Sequence, residues 1–324
     1  MDKFEKVIRS GGRSFLLRLE SSAQSRDYEK YEKLRNAIWG FPEDNLPGSR
    51  NLMCENFLHD GGSLFIGVYA PEAEGEALAD DRRFVAFSYG FVGVKDKEIA
   101  FKRTENLRFY SQYTGIREDF RGFGLGTAIK EFQRQKVRDL FGIKTITCTY
   151  DPLTGVNAWR NVHHFGMEVE DYRVSTYGEY GGLLNRLDVP SDRFFMTWDL
   201  SRPAAPGESP WASAFTEGFG VVRCREEIVA GRSGPVELEI LAGVDLEPKA
   251  EILFVRIPRD FYAMLRETDV GRPDVREIPI RWRTATRGLF LALFAGGYAV
   301  ADFFSTPGPR SENYYVLRRT GDSD

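Results

Sequence analysis

The chain holds 324 residues, 42% hydrophobic and 28% charged, which supplies enough apolar material for a buried core, excludes a chain disordered throughout and leaves room for two domains. A formal net charge of −4 argues against a dedicated nucleic-acid binder, which would carry a basic face, while leaving a local basic pocket open. Cys54, Cys148 and Cys224 are widely spaced and form no C-x-x-C pattern, so no disulfide framework and no metal cluster is expected, and free thiols in a reducing compartment are.

The first fifteen residues scatter charges and lack the apolar run of a signal peptide. The longest apolar run, 288–300, is interrupted by glycines and is too short to span a bilayer. A cytoplasmic protein outside the membrane is the expectation.

Leu and Phe cluster in 14–19 between Gly-Gly and Ser-Ser pairs, which predicts a first strand. Tyr28, Tyr31, Leu34 and Ile38 recur every three or four residues, which marks one face of a helix that Gly40 and Pro42 end. Strands are predicted at 64–69, 84–92 and 107–114, with the acidic segment 71–83 as a solvated excursion between the first two. Ala128, Ile129, Phe132, Val137, Leu140 and Phe141 give the following helix one apolar face, with Gly142 as its C-terminal cap. A strand at 145–150 follows at once, so a βαβ unit with two parallel strands is expected, right-handed by the usual rule. A short helix over 156–165, a strand beginning at 166–169 and a strand at 193–200 complete a first domain, 1–200. Three prolines in 201–210 mark a linker.

In the C-terminal domain, 211–324, strands are expected at 236–241, 251–257, 298–303 and 313–318, and helices at 259–268 and 280–295. The order helix, Gly-Gly-Tyr turn and two strands echoes 157–200, which suggests a repeat of the end of the first domain. The fold class expected is α/β (α+β), a mixed central sheet flanked by helices with a smaller α+β second domain.

The most informative stretch is 114–141, which runs through Arg121, Gly122, Phe123, Gly124, Leu125 and Gly126 into the helix. Glycines let backbone N–H groups approach a large anion, and the N-terminus of the helix points its own free N–H groups the same way. A Walker loop is poorly supported because no lysine precedes Thr127, and a dinucleotide fingerprint needs a different glycine spacing at a first strand–helix junction.

Arg121-x-x-Gly124-x-Gly126, after a strand and before a long helix, resembles the Q/R-x-x-G-x-G/A motif of the GNAT acyl-CoA N-acyltransferases. The resemblance covers about 14–200 and extends to a two-part branch of that superfamily through Asp151-Pro152-Leu153, Asn157-Ala158, Tyr177-Gly178, Leu184-Asn185 and the run Pro190 to Phe194. Ile257-Pro258-Arg259-Asp260-Phe261, Trp282-Arg283, Thr286-Arg287 and Gly297-Tyr298 look like the same branch, some of whose members resemble amino-acid N-succinyltransferases.

The resemblance implies that N–H groups from Phe123 to Thr127 cradle the pyrophosphate of coenzyme A with Arg121 beside it. It also implies that the strand end from Tyr113 to Ile116 pairs with the pantetheine amides and that Asn157 touches the same arm. The co-substrate would be acetyl-CoA or succinyl-CoA, moved directly to the amine of a small molecule such as an amino acid, without metal. A second copy of the chain is a further candidate partner; nucleic acid and membrane are not.

The family's usual tyrosine acid maps to Val162. His163 and His164 lie next to it, of which His164 is the candidate carried forward, with Asp151 at a strand end and Tyr113 as further catalytic candidates. Each has a structural alternative in core packing or strand termination. Tyr177, Tyr180 and Asn185 are the acceptor candidates of the loop 172–191, and Arg283 and Arg287, four apart on a helix, could clamp a carboxylate or pair with local acids. The rival expectation is a catalytically silent GNAT-like protein that binds CoA or a related metabolite as a sensor.

Overall fold

The structure is a computed structural model that describes residues 4–20, 22, 24–40, 62–71, 83–178, 181–182, 184–204, 207–215 and 220–320. Tyr180, Cys54 and nearly all of the acidic segment 71–83 lie outside the described residues. Two compact units form, 1–148 with 199–201, and 149–198 with 202–324. This division does not coincide with the expected boundary at 201–210.

In the first unit, β1 (Glu5–Ser10), β2 (Arg13–Leu19), β3 (Ser63–Tyr69), β4 (Phe84–Val94), β5 (Leu107–Ile116) and β6 (Thr145–Tyr150) lie side by side in chain order. Neighbours are antiparallel from β1 to β5. β5 and β6 are parallel, as a strand–helix–strand crossover requires. Helix α1 (Glu29–Trp39) and helix α2 (Leu125–Phe141) cover opposite faces of the sheet. Phe87 packs against Tyr31 of α1, while its neighbour Ser88 accepts a hydrogen bond from Gln133 of α2, as the two-residue period of a strand demands.

α1 buries Tyr31, Leu34 and Ile38, and Gly115 of β5 lets it approach: a Cβ there would stand 2.7 Å from Ile38 and 2.8 Å from Trp39. Strand β1 had no sequence signal, because Glu5-Lys6 and Arg9-Ser10 flank a single apolar pair, Val7-Ile8, and leave no alternation to read on an edge that is only half-buried.

In the second unit, β7 (Glu168–Arg173) and β8 (Arg193–Asp199) are antiparallel. β9 (Val222–Gly231) and β10 (Gly234–Val244) form a two-stranded ribbon, and β11 (Ile252–Ile257), β13 (Asn313–Arg319) and β12 (Tyr298–Ser305) form a sheet in that order. The short helices are α3 (Gly155–Ala158), α4 (Trp211–Ala214), α5 (Phe261–Glu267) and α6 (Pro273–Arg276); α7 (Ile278–Ala295) is long. The unit's aromatic core joins Phe194, Phe290 and Tyr315, with Phe194 and Phe290 ring centroids 4.9 Å apart.

Two departures from the sequence reading stand out. The helix expected over 156–165 is α3 followed by a π-helical turn, Trp159–His164, closed by Phe165 N–H donating to Arg160 O. Strand β9 was unpredicted, since Arg223, Arg225, Glu226 and Glu227 hide its apolar alternation. Gly166 and Gly297 both follow helical turns, with φ of 60° and 78°, and both precede antiparallel strand pairs.

Candidate active site

In the first unit the chain leaves β5 at Ile116, which pairs with Ala86, and makes a short 3-10 turn, Glu118–Phe120. Phe120 and Phe123 then anchor the loop from inside. Phe123 lies against Phe15 at 5.6 Å, and Arg13 caps the Phe120 and Phe123 rings at 5.6 and 5.4 Å. Gly122 and Gly124 adopt φ of 86° and 67°, so glycine is needed there for the backbone turn itself, and a Cβ on either would meet nothing within 4 Å. Open space therefore lies over the loop where it enters α2.

Gly124 is the N-cap of α2 with no side-chain cap, and its carbonyl accepts from Thr127 and Ala128. The N–H groups of Leu125 and Gly126, which precede that first bond, have no intrahelical acceptor, and the positive end of the helix dipole lies among them. Arg121 is half-exposed beside the loop, with Glu118 at 3.8 Å. Leu125 and Gly126 are buried at the start of the helix, and Thr127 is half-buried.

The neighbouring strands fork. β5 and β6 pair through Phe109 with Ile146 and Tyr110 with Thr147, and the recorded pairing does not continue toward Ile116. Tyr113 lies on the open stretch, half-buried, with its ring 5.6 Å from that of Trp39. An irregularity in the β4/β5 register makes Gln112 the extra residue between Ser111 and Tyr113.

The other candidates belong to the second unit. Asp151 is buried, accepts from the N–H of Leu153, forms an ion pair with Arg283 and has Arg193 at 3.5 Å. Arg283 is fully buried under the Phe261 ring at 4.9 Å, its charge held more firmly than an ordinary guanidinium because the adjoining Asp151 outweighs the cost of burial. Arg287 is spent on Asp192, donating to both carboxylate oxygens at 2.8 Å. The two arginines thus sit in two separate acid pairs and form no common clamp.

His163 and His164 are separated by their surroundings. His163 is buried, with Nδ1 at 2.8 Å from Asp302 Oδ1 and Nε2 at 2.9 Å from the Gly207 carbonyl. His164 stacks on Trp159 at 5.5 Å, and its buried Nε2 has no protein hydrogen-bond partner. Val162, the position at which the resemblance would put a tyrosine, is buried core. Asn157 is engaged locally, donating to Thr154 at 3.1 Å and accepting from Arg160 at 2.7 Å.

Tyr177 is exposed and shares a 2.6 Å hydrogen bond with Thr149, while Asn185 is buried. Sequence reasoning missed Asp192 and Asp302 as the acids that organise these groups; Asp192 entered only within the run Pro190 to Phe194, with no role of its own, and Asp302 sits in an apolar strand without a motif. Cys224, the half-buried thiol of β9, is pushed up to about 11 chiefly by burial, which makes it a poor nucleophile.

No protein-family model and no curated protein matches the chain. Solved structures similar to it include NAA60 of Arabidopsis thaliana in complex with acetyl-CoA (10% identity, 58% of this chain and 99% of that one, TM-score 0.43). Others are the ribosomal-protein-S5-alanine acetyltransferase of Vibrio fischeri (9%, 60% and 96%, 0.40) and the spermidine/spermine N-acetyltransferase SpeG of Vibrio cholerae (12%, 57% and 94%, 0.39). No helix among the described residues is long and apolar enough to cross a membrane.

Proposed function

We propose that the chain is an acyl-CoA N-acyltransferase of the GNAT type that transfers an acyl group directly to the amine of a small molecule. One observation carries the reading: parallel strands β5 and β6 pair over two residue pairs and then part, and β5 runs on into the glycine turn at the uncapped N-terminus of α2. An open strand edge suits the amides of pantetheine, and a helix N-terminus preceded by an exposed loop suits a pyrophosphate. Both elements belong to one unit and lie in the order a single extended molecule would follow.

The cradle is assigned to Arg121, Gly122, Phe123, Gly124, Leu125, Gly126 and Thr127, and the strand contact to Ile116 and Tyr113. Each charge-assisted hydrogen bond to the diphosphate would contribute about 1.5–3 kcal/mol. The family resemblance gives Asn157 a contact to the same arm. The amine must lose a proton as it attacks the thioester. His164 is the candidate with a ring nitrogen free of protein partners, and Asp151 is the alternative. Tyr177 and Asn185 remain acceptor candidates by residue type. An amino acid as acceptor and succinyl-CoA as donor rest on the branch resemblance alone, and Arg283 and Arg287, engaged by Asp151 and Asp192, give that part of the reading no support.

Val162 favours a second reading, a CoA-binding protein without turnover, because the family's proton donor is replaced by a buried aliphatic side chain. Calorimetric titration with acetyl-CoA, succinyl-CoA and free CoA tests both. Binding with thiol release across a panel of amines supports the enzyme, binding without release supports the silent protein, and no binding to any of the three removes both.

A further inference from the structure

The inner face of α2 carries a lysine where apolar side chains are the rule. Lys130 is 4% exposed, and its ammonium donates to the hydroxyl of Ser111 on β5 at 2.6 Å; Ser111 is itself 4% exposed. Burying an ammonium costs several kcal/mol even after relaxation, so its position calls for a reason. One turn further along α2, Gln133 donates to Ser88 at 3.0 Å, and Ser88 donates to the Tyr113 carbonyl at 3.0 Å. The two polar threads from one helix face therefore grip β5 on either side of the extra residue Gln112.

Ser111 has a particular place on the strand. It is the first residue beyond the last β5/β6 pair, so the fork opens at its backbone. From Ile116 back to Ser111 is five strand steps, about 17 Å at about 3.4 Å each. The arm of coenzyme A from diphosphate to sulfur is about a dozen bonds, roughly 15 Å when extended. A cofactor with its diphosphate at the α2 N-terminus and its arm along the open edge of β5 would bring its sulfur level with Ser111.

We propose that Ser111, polarised by Lys130, stabilises the departing thiolate of the acyl-transfer reaction; this rests on the acyl-CoA reading above. As the amine nitrogen bonds to the thioester carbon, the C–S bond breaks and its electron pair stays on sulfur, while the amine's proton passes to the base of the reading above and from there to water. Lys130 donates to the Ser111 oxygen, which leaves the serine's own O–H to donate to the sulfur. The nearby ammonium offsets the new negative charge in an interior where charges are weakly screened. Ser111 is then a catalytic residue and Lys130 a positioning residue acting through it. The pair would take over the work of the family's tyrosine, whose place Val162 fills.

The test uses the full chain with Ser111→Ala, Lys130→Met and Lys130→Arg. With CoA bound, ultraviolet difference titration against the CoA-free protein reads ionisation of the cofactor thiol. In the unaltered protein the bound thiol should ionise at lower pH than free CoA, and in Ser111→Ala and Lys130→Met that shift should vanish while CoA affinity stays within about threefold. Both variants should lose about a hundred- to a thousandfold in kcat with little change in KM for the donor, as removal of one oxyanion-type donor does elsewhere. Lys130→Arg, which keeps the charge, should retain more activity than Lys130→Met. An unaltered protein that binds no CoA sinks the acyl-CoA reading and this inference with it. A protein that binds CoA and turns over, but whose bound thiol titrates alike with and without the Ser111 hydroxyl, overturns this inference alone. Should Lys130→Met fail to fold, Ser111→Ala and Lys130→Arg decide the matter.

Discussion

Asp151 and Arg283, 132 positions apart in the sequence, form an ion pair inside the second unit, with side chains 5% and 0% exposed. Removing one partner strands the other charge in the interior, which costs about 3–5 kcal/mol. Asp151→Asn should therefore lower the urea midpoint sharply, and the double variant Asp151→Asn, Arg283→Met should recover part of that loss. If Asp151 instead loses catalysis on substitution while the midpoint stays put, it is a general base and its structural role is minor.

Asp192 predicts the acid limb of stability. Burial by itself would raise its carboxyl, but the two Arg287 donors, the Ser175 N–H and the Tyr172 hydroxyl outweigh burial and hold it below the usual carboxylate range. A carboxyl depressed in the folded state contributes stability that is present above its unfolded value, about 3.9, and is lost as pH falls from there through the lower folded value. Denaturation midpoints measured from pH 6 downward should fall below about pH 4, and Asp192→Asn should be less stable at pH 6 with a shallower fall below pH 4. Parallel curves for the two proteins would contradict this.

The first unit was largely legible because its signals are local. Tyr31, Leu34 and Ile38 mark α1 by period, and Gly142 ends α2 in the left-handed conformation that the sequence suggested. The loop glycines stood out by their spacing, and Gly122 and Gly124 serve the backbone turn itself. The second unit was less legible because its determinants are pairings at long range. Nothing near Arg283 or Arg287 in the chain announces Asp151 or Asp192 as partners, and the ribbon strand β9 hides its alternation behind charged residues. The buried Lys130 was passed over for the opposite reason: on a helix, a lysine between apolar positions reads as a solvated side chain until its burial is seen.

His163 and His164 are adjacent yet should respond oppositely to substitution. His163 joins the π-helical turn to Asp302, which also accepts from Ser209 and from the Phe303 N–H. His163→Ala removes a buried partner and should cost about 1–3 kcal/mol in urea unfolding. His164 has a ring nitrogen with no protein partner, so His164→Ala should leave the midpoint nearly unchanged. If His164 moves a proton in the reaction, that variant should lose about a hundredfold or more in kcat. Equal losses of stability in both variants would reduce His164 to a packing residue stacked on Trp159.

The glycine turn separates two kinds of damage. Gly124 sits at φ 67° with open space around the position of a Cβ, so Gly124→Ala meets no clash but must adopt a left-handed backbone, a cost of about 1–2 kcal/mol. Gly126 is inside the first turn of α2 and buried, so Gly126→Val places a branched side chain where the diphosphate is proposed to approach. The expected result is a stability loss for Gly124→Ala with CoA affinity reduced only modestly, and at least a hundredfold loss of CoA affinity for a folded Gly126→Val. Calorimetry paired with urea unfolding reads both quantities on the same samples. A folded Gly126→Val that binds CoA as tightly as the unaltered protein would move the cofactor away from the α2 N-terminus, and the length argument that brings its sulfur to Ser111 would fail with it.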